Sequence, residues 1–161
     1  MIFNFATIAS ALVLALPILA NPVPFSEHDA RAKFLEPKIY KVTVGVLGQL
    51  RYDPQYVDAE VGDLIEFEFQ PKNHTVTESS FDQPCSAIDG GFVTGFVPVP
   101  EEQKSDFPIL KFNVTDDKPH WFYCGQVDHC PAGMVFAVNP PKEGNTFDKF
   151  QLMAQQFKSK W

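Results

Sequence analysis

The stretch Trp121-Phe122-Tyr123-Cys124-Gly125-Gln126-Val127-Asp128-His129-Cys130-Pro131-Ala132-Gly133-Met134 sets a thiol, an imidazole and a thioether at equal spacing, Cys-x4-His-x4-Met. A strand ending at Cys124, a tight loop and a strand restarting near Met134 would aim all three at one centre. A second imidazole, His74, lies far upstream in Pro71-Lys72-Asn73-His74-Thr75-Val76. Two imidazoles, one thiolate and a distant thioether are the donor set of a mononuclear copper site that shuttles an electron. In that reading His74 and His129 are equatorial nitrogen donors, Cys124 the thiolate and Met134 the long axial contact.

Each residue alone has a plainer explanation. A lone His at a strand end is more often a surface or capping group, a lone Met is more often core, and a lone Cys is often buried and inert. The combination is what carries the reading. A structural zinc site built from His74, Cys124, His129 and Cys130 is the chemical rival. It lacks the usual close Cys pair and leaves Met134 without a purpose.

Outward from this stretch the chain reads as β-structure. Lys38 to Leu47 is rich in β-branched residues, with Tyr40, Val42, Val44 and Val46 expected on one face and Gly48 as the break. Tyr56 to Glu60 is a further short strand. Leu64 to Gln70 alternates most cleanly: Ile65, Phe67 and Phe69 against Glu66, Glu68 and Gln70. Such alternation marks a strand with one face in a core and one in water. His74 follows it directly. Thr75 to Asp106 shows little pattern and reads as a long crossover with a short helix near Cys85. Phe107 to Val114 returns to strand, with Leu110, Phe112 and Val114 alternating. His120 to Cys124 and Met134 to Val138 flank the ligand loop. Asn145 then reads as a helix N-cap with Asp148 three residues on, and Phe147, Phe150, Met153 or Ala154, Phe157 and Trp161 fall at helical spacing. The expectation is an all-β sandwich or barrel with a C-terminal amphipathic helix lying on it.

At 161 residues, 45% hydrophobic with 16 Phe, the chain can bury a core as one domain. Its net charge of -7 argues against a nucleic-acid surface, which needs Lys and Arg. Residues 1–20 are apolar or small and uncharged, and read as a secretory signal peptide cleaved after Ala20. The remainder divides into a lead-in at 21–37, holding a solvated His28, a β-domain at 38–141 and the helical segment at 142–161. No stable membrane insertion is expected after cleavage, and a monomer is expected. Outside the cell, three cysteines leave one unpaired or ligating. Three pairings are open. If Cys124 is a ligand, the bridge is Cys85–Cys130; a Cys124–Cys130 bridge would leave no metal site. Two sequons occur, Asn113-Val114-Thr115 and Asn73-His74-Thr75. Asn113, on the outer face of a strand, is the better glycan acceptor, because a glycan on Asn73 would crowd the metal.

These residues resemble a known family. Val61-Gly62-Asp63 before the Ile65/Phe67/Phe69 strand, Asn73-His74-Thr75-Val76, Phe81-Asp82-Gln83-Pro84-Cys85, Gly90-Gly91-Phe92 and the Trp121–Phe136 block are similar to cupredoxins. Within that family they look most like the phytocyanins and the fungal extracellular serine-rich proteins. Gly144-Asn145-Thr146-Phe147 also resembles the fungal group. The resemblance covers about Lys38 to Phe157. It implies a Greek-key β-barrel, one type 1 copper, a Cys85–Cys130 disulfide, and a bond from Thr75 across to the ligand loop. It identifies no particular redox or surface partner, since many such proteins have none known, and no Ser/Thr-rich stretch follows the matching part.

Three classes of function are then in view. The first is secreted one-electron transfer through a site of two His, one Cys and one Met, to a redox partner the sequence does not identify. The second is a cupredoxin-fold copper-binding or cell-wall or host-surface interaction protein without a dedicated redox role. The third, a copper enzyme, is disfavoured. The four His (28, 74, 120, 129) contain no His-x-His pair for an oxygen-reducing cluster, and cleavage after Ala20 would leave Asn21, not His, at the mature terminus. His120 has no role in any of these readings.

Overall fold

Two β-sheets face each other across a core crowded with phenylalanine. The computed structural model describes residues 36–157. The expected signal peptide, most of the lead-in with His28, and Trp161 lie outside them. The strands are β1 (Ile39–Val44), β2 (Tyr52–Asp53), β3 (Tyr56–Val57), β4 (Leu64–Phe69), β5 (Lys72–His74), β6 (Thr77–Ser80), β7 (Gln83–Ala87), β8 (Val97–Val99), β9 (Ile109–Asn113), β10 (His120–Tyr123) and β11 (Val135–Val138). One helix, α1 (Phe147–Gln155), follows. The first sheet runs β2-β1-β4-β9 and the second β3-β11-β10-β6-β7, while β5 and β8 form a separate ribbon. Sheet neighbours are seldom consecutive. β1 lies parallel to β4, and β10 pairs antiparallel with β6. The chain therefore crosses between sheets, and the expected Greek-key sandwich with a C-terminal helix is the architecture found.

Alternation in β4 works as its sequence indicates. Ile65, Phe67 and Phe69 are fully buried, and the glutamates between them face outward. Phe67 is the hub. Its ring meets Phe136 edge-on at 5.3 Å and lies within 6.4 Å of Tyr52, Phe92 and Phe122. Such aromatic pairs stabilise by about 0.5–1.5 kcal/mol each beyond the area they bury. The second sheet is covered on both sides. Phe136 and Val138 face the sandwich core, while Val135 and Ala137 face α1. Burial on both faces explains why β11 reads Val-Phe-Ala-Val without a polar break. On the outer side Trp121 packs against Phe150 in a tilted contact at 4.7 Å and against Phe81 edge-on at 5.1 Å.

The structure corrects three local readings. β1 stops at Val44, not near Gly48, because Gly45 turns left-handed (φ 80°) and a single 3-10 turn, Val46–Gly48, follows. The segment after His74 is not a structureless crossover with a helix near Cys85. It forms β6, β7 and β8, and Cys85 sits within β7. Its inward residues in β6 are Thr77 and Ser79, so burial alternates without the apolar signal that normally reveals it. The N-cap of α1 is Thr146, not Asn145: the Lys149 amide donates to the Thr146 hydroxyl at 3.4 Å.

Cys85 and Cys130 are disulfide-bonded, 45 residues apart in sequence. The bridge ties β7 to the loop between β10 and β11, beside α1. Replacing both cysteines by serine should lower the unfolding free energy by about 2–4 kcal/mol, since the crosslink restricts the unfolded chain. Urea denaturation of the wild type and the double variant measures this. An unchanged midpoint would show that α1 alone braces the loop.

Candidate metal centre

His74 comes from one piece of chain, and Cys124 and His129 from another, the loop between β10 and β11. His74 closes β5, held in register opposite Val97 of β8. Cys124 follows the last residue of β10, and its amide donates to the Met134 carbonyl at 3.1 Å. His129 rides the loop, its carbonyl accepting from the Met134 amide at 3.0 Å. Met134 thus joins both ends of the loop through its backbone, and its side chain is fully buried in the same core cluster as Cys124.

The donor atoms converge. One ligating atom each from His74, Cys124 and His129 lies within 4.8 Å of the others. The Cys124 Sγ is 3.4 Å from His129 Nδ1 and 3.9 Å from His74 Nδ1. Both rings turn the same nitrogen toward the sulfur. Cys124 and His74 are completely buried, and His129 is only partly so.

Thr75 secures the sulfur. Its amide donates to Cys124 Sγ at 3.4 Å, and its hydroxyl accepts from the Gly125 amide at 2.7 Å. Its carbonyl accepts a 2.6 Å bond from the buried hydroxyl of Tyr52. The bond from Thr75 to the ligand loop that the family resemblance implies is present.

Burial sets the protonation of the metal-free site. Desolvation, helped by the neighbouring His129, lowers the pKa of His74 to about 4. Desolvation lowers that of His129 too, with the positive charge of Lys72 adding to it. Both rings are neutral donors at pH 7. Burial pushes the Cys124 thiol above its usual value, so metal binding must displace a proton from it. The set fits copper: soft sulfur, two imidazoles and a buried thioether residue, with no carboxylate in the cluster. It does not fit the zinc rival, because Cys130 is spent in the disulfide.

Comparison with known proteins follows the same line. The chain is 31% identical over 117 residues to the protein named Probable GPI-anchored cupredoxin-1 of Arthroderma benhamiae, covering 73% of this chain and 59% of that one. It is 35% identical over 99 residues to an extracellular serine-rich protein of the same fungus, covering 61% of this chain and 38% of that one. The chain is a relative of the cupredoxins. It spans between about two fifths and three fifths of the length of these two proteins. No family model matches it. Among solved structures, reduced auracyanin from Roseiflexus castenholzii aligns at a TM-score of 0.46 and 13% identity, over 63% of this chain and 94% of that one. Plastocyanin from Dryopteris crassirhizoma aligns at 0.44 and 20%, over 61% and 96%.

In this cupredoxin relative, two contributors to the site escaped sequence reading. Gly45 is one: a Cβ there would stand 2.4 Å from Nε2 of His74, and its φ of +80° is left-handed. An isolated Gly inside a β-branched run is the available signal, since it marks a bulge or a close approach. Tyr52 is the other, and nothing in sequence distinguishes it from ordinary core. Asn73 and Asn113 separate clearly. Asn113 is exposed on β9, an edge strand. The Asn73 amide nitrogen contacts Gln126 at 3.4 Å and its oxygen is buried without a partner.

His120 lies at the other end of β10 from the site. Its Nδ1 meets Glu78 Oε1 of β6 at 2.8 Å, and its Nε2 is 3.3 Å from Asp116, poorly aligned for a hydrogen bond. The other Glu78 oxygen accepts from the Phe92 amide at 2.8 Å. His120 therefore pins β10 to β6 and, through Glu78, to the crossover.

Two outcomes are expected. Gly45→Ala should cost at least about 1–2 kcal/mol and displace the His74 ring resonances, whereas Gly48→Ala, equally left-handed but facing open space, should cost stability without moving that ring. Thermal melts and ring NMR separate the two. For His120, the bond to Glu78 raises the folded pKa above 6.5, against an opposing cost of burial. Its contribution is therefore complete below pH 6.5 and lost as pH rises through the folded value. The stability gap between wild type and His120→Gln, read by denaturation at several pH values, should shrink toward alkaline pH.

Proposed function

We propose that this chain is a secreted type 1 copper protein that carries one electron at a time. The observation that carries this reading is the buried Cys124 sulfur, flanked by two imidazole nitrogens and held by the Thr75 amide. His74, Cys124 and His129 would hold the ion, with Met134 as the axial donor, and copper would supply the one-electron couple. The protein's part is to keep these groups in place. Strand register fixes His74, backbone bonds fix the loop ends, and the disulfide and α1 hold the loop from outside. Ligands that move little between oxidation states make exchange fast.

Burial favours transfer over catalysis. Three of the four donors are closed to solvent, and only His129 reaches the surface. An electron can leave through that ring. This burial supports a non-enzymatic role with a separate redox partner. A monomer is the simplest unit.

An extracellular location is supported by the relatives' names, GPI-anchored and extracellular, and by the disulfide, which persists under oxidising conditions. No helix among the described residues is long and apolar enough to cross a membrane. The exposed sequon at Asn113 is the proposed glycan acceptor, and Asn73 is not.

Adding Cu(II) to the purified protein should produce an intense visible thiolate-to-copper band that is lost in Cys124→Ser. Folded wild-type protein without the band would sink the electron-transfer reading. Met134→Leu should keep the band and change the reduction potential, as measured by redox titration.

A further inference from the structure

β9 ends the first sheet, and its far side has no neighbouring strand among the described residues. On its near side the Phe69 amide donates to the Pro108 carbonyl and the Val114 amide to the Asp63 carbonyl, both at 2.9 Å. Residues along an antiparallel pair alternate in which side they bond. Leu110 and Phe112 therefore bond to β4, and the amides and carbonyls of Ile109, Lys111 and Asn113 point off the sheet. None of these groups has a hydrogen-bond partner among the described residues. Their surroundings are open too: Ile109 is 46% exposed and Leu110 36%.

The other sheet ends differ. β2 and β3 are two residues long, and β7 contains Pro84 and is tied down through Cys85. Pro108 does not protect β9, because its missing amide lies on the β4 side. The Lys111 charge is answered by Glu66 at 2.9 Å within the same sheet. An open strand edge is a template for another strand. Charge selects the register for a second copy. A two-fold axis at Leu110 sets each Ile109 beside the partner's Lys111, leaves both lysines on their own Glu66 and brings the two Leu110 side chains together. A two-fold axis at Lys111 would set the lysines face to face, which is destabilising. The sequon residue Asn113 stands on the same outward face as Lys111, two residues on, and is exposed. A glycan there is broader than the spacing of about 4.8 Å between neighbouring strands. It overhangs the lane that a partner strand must occupy.

We infer that the Asn113 glycan guards this edge, and that without it β9 pairs antiparallel with β9 of a second copy. The inference rests on the glycan reading above and is independent of copper. The glycan-bearing chain stays a monomer. The bare chain associates weakly and in proportion to concentration, since the contact is one strand wide.

Mass spectrometry of the secreted protein first reads whether Asn113 carries a glycan; a bare Asn113 overturns the guard and leaves the edge to the second measurement. Sedimentation over a concentration series then compares glycosylated protein with Thr115→Ala, which removes the sequon at an exposed position and keeps Asn113. Expected is the mass of one chain for the first and a rise toward two for the second. Within Thr115→Ala, adding Lys111→Pro removes an edge amide without touching the β4 ladder. It should weaken association about ten-fold or more, the scale of two hydrogen bonds lost per dimer. Lys111→Ala keeps the amide and should associate at least as tightly. If the proline variant folds poorly, Ile109→Lys tests the same edge: it sets a lysine beside the partner's Lys111 and should also weaken association. A glycan-free chain that stays single at every concentration would overturn the edge pairing, as would equal weakening by Lys111→Pro and Lys111→Ala. Equal association with and without the glycan would overturn the guard.

Discussion

Thr75 holds two distant parts of the chain at one sulfur atom. Its amide reaches Cys124, its hydroxyl reaches Gly125 and its carbonyl is held by Tyr52, so each of its polar groups is committed. Fifty residues separate Thr75 from the ligand loop it bonds. A buried thiol with two unprotonated imidazoles beside it is a costly thing to place in an apolar core. The bonds from Thr75 offset part of that cost. They also prevent the loop from closing over the sulfur in some other way.

Everything beyond that contact keeps it from shifting. The sandwich core centred on Phe67 fixes where β4 and β10 lie, and hence where His74 and Cys124 emerge. The second aromatic cluster, between the outer face of β10–β11 and α1, fixes the loop from the other side. There Gln151 of α1 donates to the Gly133 carbonyl at 3.1 Å, one residue before Met134. Cys130, next to His129, is tethered to β7. The loop is thus braced on both flanks, with one donor atom each from His74, Cys124 and His129 within 4.8 Å of the others. Such bracing is the condition for a ligand set that changes little with oxidation state.

His120 shows a different use of a buried imidazole. It and His74 differ in what surrounds them. His74 faces a thiol and another imidazole, and burial makes it hard to protonate. His120 faces Glu78 and Asp116, and holds its proton more firmly than usual. One ring is kept as a donor for a metal, and the other links neighbouring strands through Glu78.

Much of this was legible in order along the chain. Strict alternation in Leu64–Phe69 exposed the core strand, because one face of it meets water. The Cys-x4-His-x4-Met spacing exposed the loop ligands, because a short loop between two strands leaves them few other directions. His74 could be proposed but not placed, since its approach depends on β5, β8 and Gly45 coming together from three segments. β6 and β7 were hidden because Thr77 and Ser79 bury hydroxyls where an apolar residue would have announced a strand. Likewise the helix began at Thr146, since the neighbouring Asn145 was an equally good cap by residue type and only backbone geometry chooses between them. The sequence by itself determined which side chains can bind a soft metal and which strands must share a core, for both follow from residue chemistry and local period. The tertiary structure alone decided that Tyr52 and Gly45 serve the site. Those depend on distances between residues far apart in the chain, which no local pattern encodes.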